Sequence, residues 1–241
     1  MLNFIKMDIY RTRKMKSLWI LWLIMVMIIF ISTALLKTEF VADQQKIEAG
    51  AVPDNDGAMA TPEPENIDLG IAVVLPESAS SVPTVFDVVY ANIQGKFIAI
   101  IIAIFAVVFV TADVNHGYIK NIAGQVKHRS MLVASKAVVL LLYTAITMII
   151  TVIVQFAANL ILLSSVEFGP WKDLAIYVGL ETILHFALTL IIMLVALGIR
   201  NNVGTMAIAI CLCMNMMVII YGLVDKVVGS MGIKGFNTLN Y

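Results

Sequence analysis

Charge is what this chain is short of. Of its 241 residues only 13% are Asp, Glu, Lys or Arg, whereas 61% are apolar, and the mean hydropathy is +0.95. Soluble domains carry roughly 25% charged residues. A soluble fold of this size has no means of hiding so much apolar surface, so the deficit excludes one and leaves an integral membrane protein. The apolar–polar alternation of a membrane β-barrel is missing too, because the apolar runs are continuous. Catalytic and nucleotide-binding signatures are also lacking. No Gly-x-x-x-x-Gly-Lys-[Ser/Thr] phosphate loop occurs, so ATP cannot be bound by that route. There is no His-Glu-x-x-His, no Cys-x-x-Cys and no Gly-x-Ser-x-Gly elbow. His116, His128 and His185 are scattered, which suggests no metal cluster. The two cysteines, Cys211 and Cys213, lie two apart in one apolar run. Residues at that spacing do not face each other on a helix, so both are expected to be free, buried and small.

What is present is a set of five apolar segments. About 20 apolar residues cross a hydrocarbon core of roughly 30 Å, and lipid leaves only helices as partners for their own backbone groups. The expected fold is an all-α integral membrane protein with five visible spans: residues 18–36, 97–112 (extended backwards through the milder stretch from Val88), 137–163, 174–199 and 203–224. The first run is too long for a signal-peptide core, and no A-x-A-like site follows it, so it reads as an uncleaved anchor. No internal repeat is evident.

The zero net charge conceals segregation. Residues 1–17 carry Lys6, Arg11, Arg13, Lys14 and Lys16 against Asp8. Residues 38–93 carry ten acids against Lys46 alone. Residues 113–136, DVNHGYIKNIAGQVKHRSMLVASK, are basic again, with Lys120, Lys127, Arg129 and Lys136 against Asp113. By the positive-inside rule the N-terminus and the 113–136 connector face the cytoplasm, and the acidic 38–93 loop and the 225–241 tail lie outside. Within the loop, 52–70 is rich in Pro, Gly and acids, while 82–93 is apolar enough for a helix resting on the outer leaflet. The 1–17 segment mixes Leu2, Phe4, Ile5, Ile9 and Met15 with cations. That suits an interfacial helix with its Lys and Arg towards lipid phosphates, or else an ordinary positive flank.

This order of segments covers nearly the whole chain and resembles the permease subunits of type-2 ABC exporters, of the bacterial peptide-export and antimicrobial-peptide-immunity kind. Their pattern of an acid, then Asn-Gly-Thr-Ile-Lys, then a small-residue/Arg stretch and a Lys is echoed by Asp113, Asn115-His116-Gly117-Tyr118-Ile119-Lys120, Lys127-His128-Arg129-Ser130 and Ser135-Lys136. Tyr118 stands where the family has Thr, His116 is an insertion, and the usual Pro is missing. The family has six spans where five are visible. The resemblance implies that Gly117, Tyr118, Ile119, Lys120, Asn121, Ile122 and Ala123 form a coupling helix docking on a separate ATPase, with Lys127, Arg129 and Lys136 as supporting cations. It implies two ATPase subunits carrying ATP and Mg, a second identical or homologous permease, a bacterial plasma-membrane location and an amphipathic cargo such as a peptide. No cofactor in this chain, no catalysis by it and no nucleic-acid partner are expected. The bland alternative is that the cations only enforce topology. A second class, a membrane sensor or assembly protein using the acidic loop for ligand binding, also fits.

Polar residues inside the spans complete the candidates. Glu181 and His185 are four apart, hence on one helix face, and ionisable groups at such depth face the bundle interior or water. They line a substrate route or, alternatively, form a hydrogen-bonded pair that fixes packing. Gln155 and Asn159, and also Asn215, read as interhelical glue. Fourteen methionines, Met214, Met216 and Met217 among them, give adaptable apolar surface, fit for cargo or for ordinary core.

Overall fold

The computed structural model describes residues 2–48, 84–115, 130–163, 169–199 and 201–214. All the regular elements among them are helical. They are α1 (Leu2–Lys14), α2 (Lys16–Glu48), α3 (Val85–Gln94), α4 (Phe97–Asn115), α5 (Ser130–Ala158) continued by a π-helical turn (Asn159–Leu163), α6 (Trp171–Ile199) and α7 (Asn202–Cys213). Among the described residues three segments are long and apolar enough to cross a membrane: Lys16–Thr38, Ser130–Leu163 and Trp171–Ile199. Val85–Gln94 and Phe97–Ala112 make a fourth if counted as one span bent by 54°. The described part of the expected fifth span, α7, is 12 residues, about 18 Å of helix.

Helix α4 is the axis of the bundle. It packs on α2, α3, α5, α6 and α7. Ile98, Ile101, Ile102, Phe105, Val107, Phe109 and Val110 are all buried. Helices α2 and α6 instead turn wide apolar faces outwards, with Trp19, Leu23 and Leu35 on one and Ile183, Leu184 and Leu194 on the other all more than half exposed. That suits lipid as solvent, where apolar surface need not be hidden. Helix α5 runs a buried polar stripe through the interior: Tyr143, Thr144, Thr147, Thr151 and Gln155. Trp22 reads that stripe from α2 by donating from Nε1 to Thr147 Oγ1 at 3.2 Å, and its ring stacks on Tyr143.

Two corrections concern the segment before the second span. The apolar stretch from Val88 does not extend the span as a straight helix. It is broken at Gly95 and Lys96, where Lys96 adopts φ +60°. Nor does this stretch rest on a leaflet. Thr84 caps α3 through a reciprocal capping box with Asp87, and Val85, Val88, Val89, Ala91, Asn92 and Ile93 are buried within the bundle. On α1, Asp8 and Thr12 are buried against protein, while Lys6, Arg13 and Lys14 are exposed.

Candidate functional site

Two polar clusters stand at opposite ends of the bundle. At the α1 end, Ser135 Oγ of α5 donates to Asp8 Oδ2 of α1 at 2.8 Å. Beside them, Lys136 Nζ lies 4.8 Å and Arg11 Cζ 5.7 Å from the centroid of the Phe109 ring of α4. Cations over an aromatic face are attracted by its quadrupole, by about 0.5–2 kcal/mol depending on desolvation. Thr111 of α4 also donates to Asn202 Oδ1 at the start of α7. Lys136 is therefore not a cation on an outer docking surface. It is 5% exposed, because α5 begins at Ser130 and carries it inward against α4. The other connector candidates, Gly117, Tyr118, Ile119, Lys120, Asn121, Ile122, Ala123, Lys127 and Arg129, lie outside the described residues, as do Asn215, Met216 and Met217.

Near the α3 end a network of side-chain amides and hydroxyls joins three helices. Ser32 Oγ donates to Asn92 Oδ1 at 2.8 Å, and Asn92 Nδ2 donates to Gln155 Oε1 at 2.9 Å. Gln155 Nε2 in turn donates to Thr33 Oγ1 at 3.0 Å and to Asn159 Oδ1 at 2.8 Å. Gln155 and Asn159 thus act as glue. Asn92, Ser32 and Thr33 were not singled out by the sequence, although an Asn inside an apolar stretch was a usable signal. The network holds α3 against α2 and α5. It ends at Asn159, where the helix widens into its π turn, the kind of irregularity often found at functional positions.

Level with this end an open cleft of about 270 Å³ lies between the α3–α4 break, α6 and α7. Ile93, Lys96, Glu181, His185, Leu188 and Cys213 are among its lining residues. Glu181 and His185 meet as their spacing predicts: His185 Nδ1 is 3.4 Å from Glu181 Oε2 and 2.8 Å from the main-chain oxygen of Glu181. A carbonyl only accepts, so Nδ1 carries the proton in that contact. In the neutral ring Nε2 is then left with a lone pair. Nε2 is buried and has no hydrogen-bond partner, and the His185 side chain is only 8% exposed against 18% for Glu181. Lys96, from the helix break, and Cys213, from α7, were missed as members of this group. Only the tertiary fold brings them to Glu181. Cys211 and Cys213 are both free; Cys213 is buried, but Cys211 is exposed, which corrects its expected burial. Among the described residues no group of three or more His, Cys, Asp or Glu could hold a metal ion.

A cation, a carboxylate and an imidazole thus share one cleft. Residues 64–232 match the family described as Protein of unknown function (DUF2705). The chain belongs to that family. The match runs from the acidic segment before α3 past the end of α7 and takes in every residue of the cleft. No curated protein and no solved structure matches the chain.

Proposed function

We propose that this protein is the membrane permease subunit of an ATP-driven exporter, moving an amphipathic substrate outward with ATP hydrolysed by a separate subunit. The observation that carries the proposal is the cluster at the α1 end. The basic connector leaves α4 and re-enters at α5. Its two roots touch each other through Phe109 and Lys136 and are tied to α1 through Arg11 and Asp8. A force applied to the connector would thus reach α1, α4 and α5 together. That is what a coupling element needs, and a mere topological anchor does not need it. The N-terminus and the connector are then cytoplasmic, the Glu39–Asp87 acids are outside, and residues 203–224 complete a fifth span.

In this scheme Gly117–Ala123 docks on the ATPase, with Tyr118, Ile119 and Ile122 as apolar anchors and Lys120, Lys127 and Arg129 beside them. Replacing both Tyr118 and Ile119 by Asp is expected to abolish co-purification of the ATPase subunit while the chain still inserts in the membrane. Undiminished co-purification would sink the docking role. A sensor without cargo would need no such partner, so the same pull-down separates the two classes. The cleft of Lys96, Glu181 and His185 is placed on the substrate route. Glu181→Gln is expected to lower export with expression unchanged, whereas normal export would return the Glu181–His185 pair to a packing role.

A further inference from the structure

The cleft contains groups that would serve a particular kind of molecule. Its depth can be read from helix geometry. Thr111 and Asn202 meet at the α1 end, so Thr111 is level with the lower end of α6. Lys96 lies 15 residues before Thr111 and therefore stands about 22 Å above that level, at 1.5 Å per residue. Glu181 stands 18 residues above Ile199, about 27 Å by the same rise. A hydrocarbon core is roughly 30 Å thick. Both charges thus fall in the far third of a layer of that thickness, on the side of one set of lipid headgroups.

The cleft also opens sideways. Leu184, one of its lining residues, is 63% exposed, and Leu180 and Ile183 on the same helix are 58% and 65% exposed. A molecule entering from the bilayer would lay an apolar chain on these leucines and bring its polar end to Lys96, Glu181 and His185. Those groups are of two kinds. Lys96 offers three donors and a positive charge, whereas the Glu181 carboxylate accepts. Lys96 is held in a left-handed conformation, which is unfavourable for a side chain other than Gly, Asn or Asp and is the sort of strain that persists at binding positions.

We infer that the cleft binds an aminophospholipid headgroup, its primary ammonium received by Glu181 and its phosphate by Lys96. This names the occupant of the cleft already placed on the substrate route and rests on that placement. Because it is read by binding and not by export, its failure leaves ATPase docking untouched, and failed docking leaves lipid retention unchanged.

The test uses the full chain in mild detergent and native mass spectrometry with three lipids of identical acyl chains. Phosphatidylethanolamine has both the N–H donors and the phosphate. Phosphatidylcholine has no N–H donor, and phosphatidylglycerol has no cation. The ethanolamine lipid is expected to be retained about tenfold better than either, equivalent to about 1.4 kcal/mol. Glu181→Gln should erase that preference, whereas Lys96→Asn should lower retention of all three lipids, because all three carry the phosphate. Asn removes the charge of Lys96 while tolerating its backbone conformation. Equal retention of the three lipids by the wild-type chain overturns the proposal without recourse to any variant, and so does a preference for phosphatidylglycerol. A preference that survives Glu181→Gln, or retention that Lys96→Asn leaves unchanged, in protein that elutes and melts like wild type, places the lipid elsewhere and overturns it too. Water-soluble phosphoethanolamine at equal concentration should fail to displace the lipid, since it cannot use Leu184 and Leu188. Full displacement would reassign the cleft to a free zwitterion.

Discussion

Asp8 is the residue whose surroundings differ most from what its neighbours in sequence suggest. It is one acid among five cations in residues 1–17, which reads as an exposed helix on a phosphate surface. In the fold it is 4% exposed and accepts a hydrogen bond from a serine 127 positions away. No local pattern encodes a partner at that separation. Ser135→Ala would leave the buried carboxylate short of a donor, a loss of about 1–3 kcal/mol. A clearly lower melting temperature in detergent is expected, with Ser135→Thr close to wild type because the hydroxyl is kept. If Ser135→Ala melts like the parent, α1 is held by its apolar contacts alone. Glu181 and His185 lie at the opposite extreme. Their i, i+4 spacing announced one shared face, and the pair forms. Lys96 was legible only as a charge beside a glycine, because its value to the cleft depends on α6 and α7.

Among the elements, α3 is the one that sequence pattern described least well. An apolar stretch at the edge of a span can continue it, lie on the membrane or fold back, and composition does not choose between these. The choice is made by polar side chains: Asp87 and Thr84 start α3, and Asn92 ties it to Gln155 and Ser32. Interhelical hydrogen bonds in membranes are worth about 0.6 kcal/mol on average and seldom exceed about 1.7, so the effect should be local. Gln155→Leu is expected to raise amide hydrogen exchange across Val85–Gln94 severalfold, leaving α6 unchanged. Unaltered exchange in that segment would mean that apolar burial alone seats α3. The long helices were legible, within a few residues at most ends, because hydrocarbon imposes both their composition and their length. The π turn at Asn159–Leu163 was not, since nothing in NLILL distinguishes it from continued α-helix.

For the whole molecule, the two-ended layout itself can be tested. Lys6 and Ser130 are exposed and belong to the α1 end, whereas Gly57 lies in the acidic segment before α3. With Cys211 and Cys213 both replaced by Ala, single cysteines from Lys6→Cys and Ser130→Cys should react with a membrane-impermeant maleimide only after the cells are opened. Gly57→Cys should react in intact cells. Labelling of either of the first two in intact cells would invert the proposed orientation. Membrane class and helix positions followed from apolar runs, but span number did not follow equally well. Among the described residues three helices qualify outright, and a fourth does so only across a 54° bend.

The enclosure of α4 bears on how the chain can vary. Between Phe97 and Ala112 no residue is exposed, and only Phe97, Ile100, Ile104, Val108 and Ala112 are even partly so. Helix α6, by contrast, alternates buried positions such as Thr189, Ile192 and Ala196 with outward ones such as Ile191 and Leu194. A saturation screen should therefore draw two different profiles. Along α6, tolerance of bulk should rise and fall with the helical repeat. Along α4 it should stay low at nearly every position, easing only on the narrow line from Ile100 through Ile104 and Val108 to Ala112. Any widening elsewhere along α4 displaces two or three neighbours at once.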